Sequence, residues 1–427
     1  MHEALAGLTT RGRCFAAAGG AVALCALILR ERDLLRVAVF LLVLPGFAAV
    51  AVSRTRYRLS CSRVLDPAQI PAGQQARVVL RLENVSRLHT GVMQLEDNLP
   101  YLLGSRPRFV LDRVKPRGVR TVSYPVRADT RGRYQIGPLA VRLTDPFGLV
   151  ELSRSFASVD TLTVTPVVSP LPAVALGGEW AGGGESSARS VSTQGEDDAA
   201  TREYRNGDDL RKVHWRSTAR RGELMVRREE QPWQSRAVVA LDARAAAHRG
   251  SGADASFEWA VSAAASVVVH LARGGYSTRL LTDAGVGASA PAGSISTAVL
   301  LDQLAQVQTS PATSLTPMGD ALRKAGGEGL VVAVLGRLDG ADADVLSRAR
   351  TGSTVGVAIL LDSTTWVGLP PRLSAEAREQ YDAVARRLGT AGWRVLRASH
   401  GAELSALWPT AAVAGSGRRL AAMVGAR

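Results

Sequence analysis

"RAVVALDARAA", residues 236–246, reads as one buried strand ending in an acid, and the fold class follows from what comes after it. Val238, Val239 and Leu241 sit in a short continuous apolar run, the pattern of a strand covered on both faces. The segments downstream repeat the theme. "FEWAVSAAASVVVHLARGG" (257–275) has the length of a helix and a glycine stop. "STRLLTDAG" is a strand, "ISTAVLLDQLAQV" a helix, "GLVVAVLGRLDG" a buried strand and "ADADVLSRAR" a helix. "TVGVAILLD" is then a strand, "LSAEAREQYDAVARRLGTAG" a helix and "WRVLRASH" a strand. Strands alternating with helices imply right-handed crossovers and a mostly parallel sheet. Residues 235–427 are therefore expected to form one α/β domain, with functional groups at the C-terminal ends of its strands.

Those ends carry Asp242, the loop Thr316-Pro317-Met318-Gly319-Asp320, and Asp339. The arrangement resembles the von Willebrand factor A domain, a Rossmann-like fold. Its metal-ion-dependent adhesion site takes an Asp-x-Ser-x-Ser run, a Thr and a further Asp from three such loops. Here the first element reads Asp242-Ala-Arg-Ala-Ala246, so both hydroxyls are missing and a cation, Arg244, stands where the first would be. A hard divalent ion needs several oxygen ligands. The site at Asp242, Thr316 and Asp339 is thus expected to be degenerate and no cofactor is expected, magnesium being the alternative. Without metal, Asp242 and Asp339 are strand-end carboxylates that pair with Arg244 or Arg337.

Immediately upstream, residues 202–234 form a charge-dense segment. Residues 202–230 hold nine Arg or Lys and six Asp or Glu. Arg205-Asn206-Gly207-Asp208 signals a turn, and Asp209 suits the N-cap of a short helix in which Leu210, Val213 and His214 share a face. Arg221-Gly222 turns the chain into "ELMVRREE", which alternates as a strand. Residues 173–201, rich in Gly, Ser and acid without apolar period, read as a linker.

Residues 56–172 change to short alternating runs such as "ARVVLRLENV", "VRTVSYPVRA" and "LAVRLTDPFG", separated by turn formers. An antiparallel β-sandwich is expected there. Asp145-Pro146-Phe147-Gly148 reads as a tight turn with Phe147 tucked inward.

Residues 1–55 contain two uncharged runs, 14–29 and 37–52, separated by "RERDLLR". Each approaches the ~20 residues that span a bilayer, and arginines at the ends make up the difference by snorkelling. A transmembrane hairpin with helices about 14–30 and 36–53 is expected, the alternatives being a signal peptide for the first run or a buried soluble hairpin. Arg11, Arg13, Arg54, Arg56, Arg58 and Arg63 flank the hairpin outside, against Arg30, Arg32 and Arg36 in its loop. That balance places both ends, and the body, on the cytoplasmic side of the plasma membrane.

The net charge of +14 is carried almost wholly by arginine, since the chain has only three lysines, Lys115, Lys212 and Lys324. The arginines are spread through every region without a basic stripe bearing interleaved aromatics. Nucleic acid is not expected as a partner. Cys14, Cys25 and Cys61 form no metal spacing and no disulfide framework.

The run Arg202-Glu203-Tyr204, Gly207-Asp208, Leu210-Arg211, Trp215, Ala219-Arg220 and Leu224-Met225-Val226-Arg227 resembles the signature of the domain of unknown function 58 (DUF58) family. A membrane hairpin, the stretch "RGRYQIGPLAVRLTDPFGLVE" and a von Willebrand factor A-like domain agree with it. The resemblance implies a bacterial protein associated with MoxR-type AAA+ ATPases and transglutaminase-like membrane proteins, with no established catalytic activity. The expected function is a membrane-anchored, non-enzymatic interaction protein. Arg202, Tyr204, Gly207, Asp208, Arg211, Trp215, Arg216, Arg220 and Arg227 are its candidate interaction residues. Arg211, Arg216 and Arg220 either present forked donors to a partner's carboxylates or pair with their own acidic neighbours. The alternative is a metal-dependent enzyme or ligand-binding protein using Asp242, Thr316 and Asp339, or the cluster Glu203, Asp208, Asp209 and His214. No phosphate loop, His-Glu-x-x-His or nucleophile elbow accompanies it.

Overall fold

A computed structural model describes residues 7–54, 59–87, 89–90, 92–144, 147–174, 201–204, 213, 215–227, 236–284, 289–290, 294–325, 329–350 and 354–413, with the backbone alone at 51–54, 152, 201–203, 216–217, 227, 289–290 and 294–296. The chain divides into two compact units, Met1–Pro166 and Val167–Arg427.

The first unit opens with two helices, α1 (Thr10–Leu29) and α2 (Arg32–Arg54). Both are long and apolar enough to cross a membrane. Both begin earlier than the uncharged runs; in α1, Thr9 caps the helix by accepting from the Gly12 amide and so brings Arg11 and Arg13 inside it. A left-handed Arg30 ends α1 and turns the chain into α2. Gly19 lets the helices approach closely at Leu41 and Leu42. Most of their large apolar side chains point outward, with Leu27 70% and Phe40 63% exposed, which a core hairpin of a water-soluble domain would not show.

Ten strands follow: β1 (Leu59–Asp66), β2 (Gln69–Pro71), β3 (Gln75–Asn84), β4 (Met93–Asp97), β5 (Arg108–Leu111), β6 (Val119–Arg127), β7 (Gly132–Ile136), β8 (Leu139–Thr144), β9 (Glu151–Phe156) and β10 (Asp160–Thr165). They form three sheets, ordered β1-β3-β6, β2-β10-β7 and β5-β4-β8-β9. All pairings are antiparallel except that of β2 with β10. Period-2 alternation sends Ala76, Val78, Leu80 and Leu82 of β3 inward, where they meet Met93 and Leu95 of β4, Val141 and Leu143 of β8, and Leu162 and Val164 of β10 in one core.

A buried charge cluster ties the sheets together. Arg63 Nη2 donates to Asp97 Oδ1 at 2.6 Å and Nη1 to Asp160 Oδ2 at 2.9 Å, and Nη1 also reaches the carbonyl oxygens of Ile136 and Ser158. The Tyr124 hydroxyl donates to Asp97 Oδ2 at 2.5 Å. Burial pushes the Tyr124 phenol up, and the bonded Asp97 carboxylate adds to it. For Arg63 burial acts downward, but the bonds and charges of Asp97 and Asp160 outweigh it and hold the guanidinium charged.

In the second unit Val168 and Leu171, from the end of the expected β-rich segment, and Val174, from the expected linker, pack against the α/β core. The linker expected to 201 lies outside the described residues from 175 to 200. Beyond it come β11 (Thr201–Glu203), α3 (Trp215–Arg221), β12 (Met225–Arg227), β13 (Arg236–Leu241), α4 (Ser256–Arg273), β14 (Ser277–Thr282), β15 (Ser289–Ala290), α5 (Ser294–Gln306), α6 (Thr316–Lys324), β16 (Leu330–Leu335), α7 (Gly340–Ala349), β17 (Val355–Leu361), α8 (Pro371–Thr390), β18 (Arg394–Ala398), α9 (Leu404–Leu407) and α10 (Thr410–Val413). The main sheet runs β15-β14-β13-β16-β17-β18 and is parallel apart from the edge strand β15. Ala237, Val239 and Leu241 of β13 face α4, with Ala264, Val267, Val268 and Leu271 in the same core. Val238 and Ala240 face the opposite core, with Met318, Leu322, Leu346 and Leu388 from α6, α7 and α8. Both faces are thus covered, as the unbroken apolar runs require.

Replacing Asp97 with alanine leaves Arg63 buried and half-satisfied. It is expected to cost roughly 3–5 kcal/mol in the β-rich unit. Hydrogen exchange of β1 and β6 in the detergent-solubilised chain reads the loss, and unchanged protection there would sink the assignment.

Candidate functional site

Four strands of the parallel sheet deliver aspartates at or just beyond their C-terminal ends: Asp242 after β13, Asp283 after β14, Asp339 and Asp342 after β16, and Asp362 after β17. A deposit of acid at one sheet edge calls for cations. Among the described residues Arg244 supplies one, from within.

The chain leaves β13 and doubles back over the sheet's edge. The Asp242 amide donates to the Val334 carbonyl, and Arg337 N donates to Ala247 O. This crossing needs Gly336, where a Cβ would stand 2.6 Å from Ala247 O. Arg244 is thereby folded back onto the acid two residues before it. Its Nε donates to Asp242 Oδ1 at 2.9 Å and its Nη2 to Asp242 Oδ2 at 3.0 Å, a bidentate fork. Nη1 donates to Asp342 Oδ2 at 2.9 Å, and the remaining donors reach the carbonyl oxygens of Thr313 and Arg337 at 3.4 Å. Asp242 is fully buried, and Arg244 is only 4% exposed. Burial pulls the Arg244 pKa down, but the bonds and charges of Asp242 and Asp342 outweigh it and leave it raised.

His248 closes the arrangement. Its Nε2 lies 2.7 Å from the Asp242 carbonyl oxygen and its Nδ1 3.3 Å from Ser256 Oγ. A neutral ring satisfies both contacts, donating from Nε2 and accepting at Nδ1, a tautomer assigned from its partners. Burial, the leading cause, lowers its pKa below the ordinary 6.5; Asp242 acts upward, while Arg244 and Arg249 act downward. On the neighbouring strand end, Ser310 Oγ donates to the buried Asp283, while Ser310 and Ala243 are joined backbone to backbone.

The three loops expected to build a metal site come together differently. Asp242 is where the sequence places it, paired with Arg244 rather than Arg337. Asp339 is exposed and caps α7: its carboxylate accepts from the Asp342 amide at 2.8 Å, and Asp342 reaches back to the Asp339 amide. The residue that joins Arg244 is therefore Asp342, one turn further on. Thr316 opens α6 at the surface and shares a hydroxyl contact with Ser314 at 2.8 Å. No group of three or more His, Cys, Asp or Glu suited to a metal ion occurs among the described residues. Sequence reasoning missed Asp342, His248 and Asp283. The signal for Asp342 was the Asp-x-x-Asp spacing of a capping box after β16.

The charged signature segment has a buried and an exposed side. β11 and β12 form a two-stranded ribbon, to which Val213 adds an isolated bridge at Val226. Met225, Val226 and Val213 are buried, and the Met225 amide donates to Thr218 Oγ1 at 3.0 Å, which fastens α3 to the ribbon. The helix described here is Trp215–Arg221, and Val213 makes an isolated bridge rather than sharing its face; the expected cap at Asp209, with Leu210, lies outside the described residues. Trp215 is 71% exposed, and Arg220 and Arg221 are also exposed. Tyr204 is half-buried, its amide bonded to Leu224 O. Gly207, Asp208, Asp209, Arg211 and His214 lie outside the described residues, and Arg202, Glu203, Arg216 and Arg227 are described by backbone alone.

Comparison with known proteins agrees with the signature. Residues 200–372 match the family described as Protein of unknown function DUF58. The Uncharacterized protein YeaD of Bacillus subtilis (strain 168) is 27% identical over 221 residues, which cover 50% of this chain and 53% of that protein. The chain thus spans about half the length of the curated relative it matches. Among solved structures, the CARDB domain of the PF1109 protein from Pyrococcus furiosus is 12% identical, with 25% of this chain and 91% of that one covered, at a TM-score of 0.19. A FixG-related protein from Vibrio parahaemolyticus is 12% identical, covering 25% and 95%, at 0.17. Scores this low carry no argument about the fold.

Two outcomes are expected. Arg244→Ala leaves Asp242 buried without its fork and should destabilise the α/β unit by about 3–5 kcal/mol, read as a shifted urea midpoint of β13 and β16 protection. For His248, the folded pKa lies below the unfolded one, so the unfolded chain binds the extra proton. Stability is then complete above the ordinary 6.5 and falls as pH drops below it, with a slope approaching ~1.4 kcal/mol per pH unit. His248→Gln should remove that slope, so that its stability gap to wild type narrows as pH falls through the window; parallel pH curves would contradict the assignment.

Proposed function

We propose, for a chain whose residues 200–372 are of the DUF58 kind, a non-enzymatic interaction protein anchored in the plasma membrane by α1 and α2, with its body in the cytoplasm. The β-rich unit is read as a β-sandwich, supported by one core drawn from three sheets. The second unit is read as von Willebrand factor A-like, supported by five parallel strands with both faces covered. A cofactor-free role fits a strand-end carboxylate cluster that already holds its own cation, Arg244. The metal-dependent alternative at Asp242, Thr316 and Asp339 is not favoured, because Asp242 has committed both oxygens to Arg244.

The observation that carries the interaction reading is Trp215. A tryptophan 71% exposed on a short helix, beside exposed Arg220 and Arg221, has the residue types that dominate binding hot spots. The helix is fastened to the ribbon through its own Thr218, whose hydroxyl accepts from the amide of buried Met225, so the exposed ring is presented rather than loose. The proposed partner is a MoxR-type AAA+ ATPase, with a transglutaminase-like membrane protein in the same assembly, as the family resemblance implies. Nucleic acid is not a proposed partner, since the arginines of this segment alternate with acids that repel phosphate.

The test is affinity capture from solubilised bacterial membranes with the wild-type chain, Trp215→Ala, and Arg211→Glu combined with Arg220→Glu. Loss of the ATPase from both variants, with β13 and β16 still protected against exchange, is the expected result. Equal recovery from all three would remove the interface.

A further inference from the structure

The turn at Phe147 does not tuck inward as its sequence suggested: Phe147 is 59% exposed. The residues after it explain why. The Thr9 amide donates to Leu149 O at 3.0 Å, Thr9 Oγ1 donates to Gly148 O at 2.7 Å, and the Glu151 amide donates to Gly7 O at 2.8 Å. Leu149 and Val150 are buried with Ala48 and Ala49 of α2, and Gly12 leaves room for Leu149 against α1. The β8–β9 turn is thus clamped to the end of the helical hairpin where both helices meet the β-rich unit.

Strand register shows what else lies at that end. Thr144 of β8 leads into the turn, and Met93 of β4 pairs with Leu143 of β8 and Leu111 of β5. Residues 85–87, 89–90 and 92, and segment 112–118, therefore lie at the same end, where the Thr90 amide donates to Val114 O and Asn84 Nδ2, at the end of β3, donates to Lys115 O. They carry exposed Val85 (51%) and Val92 (48%), and Val119 (40%) follows directly. Between these apolar residues stand exposed Arg87, Arg113, Lys115, Arg117 and Arg120, against the exposed carboxylates Glu83 and Asp112. Arg117 even occupies the left-handed region, φ 56, where glycine is the ordinary choice. Tyr101 lies at the opposite end of the sheet, beyond the Asp97–Leu139 pair.

We propose that this end of the β-rich unit is a membrane-facing collar: Phe147, Val85, Val92 and Val119 enter the interfacial layer, and the basic residues among them bind anionic lipid headgroups. The proposal rests on the reading of α1 and α2 as membrane spans. Charge complementarity and continuity with the hairpin select the occupant, because apolar side chains mixed with excess cations beside two apolar helices match a headgroup boundary.

The test uses the full-length chain in proteoliposomes of phosphatidylcholine, with or without phosphatidylglycerol, and photo-crosslinking benzoylphenylalanine placed singly at Phe147, Tyr101 or Phe40. Lipid adducts are read by mass spectrometry. The expected result is lipid capture at Phe40 and Phe147, several-fold above Tyr101. At Phe147 the capture should rise with phosphatidylglycerol, and Arg87→Glu with Lys115→Glu and Arg117→Glu should abolish that rise. Capture at Phe40 but not at Phe147 would overturn the collar alone. Adducts at Phe147 only to a second copy of the chain, or a yield indifferent to both phosphatidylglycerol and charge reversal, would overturn it too. No lipid capture at Phe40 would overturn the span reading and the collar with it.

Discussion

The guanidinium of Arg244, held between Asp242 and Asp342, is the contact on which the strand-end edge of the α/β unit depends. Parallel strands deliver their carbonyl oxygens and terminal side chains to one edge, and here several of those side chains are aspartates. Two buried carboxylates without a cation would each face a desolvation penalty of several kcal/mol. A cation must therefore be present, and the only question is its source. A divalent ion would require further oxygen ligands, and the run Asp242-Ala-Arg-Ala-Ala246 has alanines where hydroxyls would be needed. The tethered guanidinium satisfies the same electrostatic demand with geometry set by the backbone. Its loop is held at Gly336 and Ala247, and its neighbour His248 is kept neutral by burial.

The β-rich unit solves its own problem in the same way. Arg63 lies between Asp97 and Asp160, with Tyr124 completing Asp97. Both clusters use the fork of arginine, several donors in one plane, to join carboxylates from different strands or helices. Lysine offers a point charge and does not replace that geometry. The scarcity of lysine in this chain reads as coding composition when residues are counted. At Arg63 and Arg244, however, arginine is required by the contacts themselves, so the bias and the architecture coincide there. What each cluster contributes is chiefly positional, since buried ion pairs gain little net stability over apolar substitutes and penalise the loss of one partner.

Much of this was legible in the sequence, and the boundary of legibility is physical. Unbroken apolar runs such as Val331–Leu335 and Val357–Leu361 announced strands covered on both faces, and the chain forms them in the expected order. Alternation in β3 and β8 likewise announced a half-buried surface. The pairing of Asp242 with Arg244 was readable because the two are only two residues apart in sequence. The Asp-x-x-Asp spacing made the capping role of Asp342 readable, but not its bond to Arg244, which lies 98 residues away in sequence and is brought there only by the fold. Phe147 was misjudged for a similar reason. A lone aromatic in a turn is ordinarily buried, but here Leu149 and Val150 take the buried places, and the surface they cover is the helical hairpin.

That last contact bears on how the helical hairpin is joined to the β-rich unit. α2 runs on for several residues past Ala48 and Ala49, which are covered by the β8–β9 turn rather than left open. Its apolar run is therefore divided: the first part is left exposed, and the last part is packed by protein. A helix divided in this way fixes the height of the attached unit relative to the hairpin, because the turn is bonded to Thr9 as well as packed on α2. Flexible tethers leave a body free to drift from the surface, whereas this joint holds one end of the β-rich unit at the level where the helices begin. With α1 and α2 read as membrane spans, that end stands at the height of the headgroups, and its mixture of exposed valines, Phe147 and arginines follows from position as much as from composition.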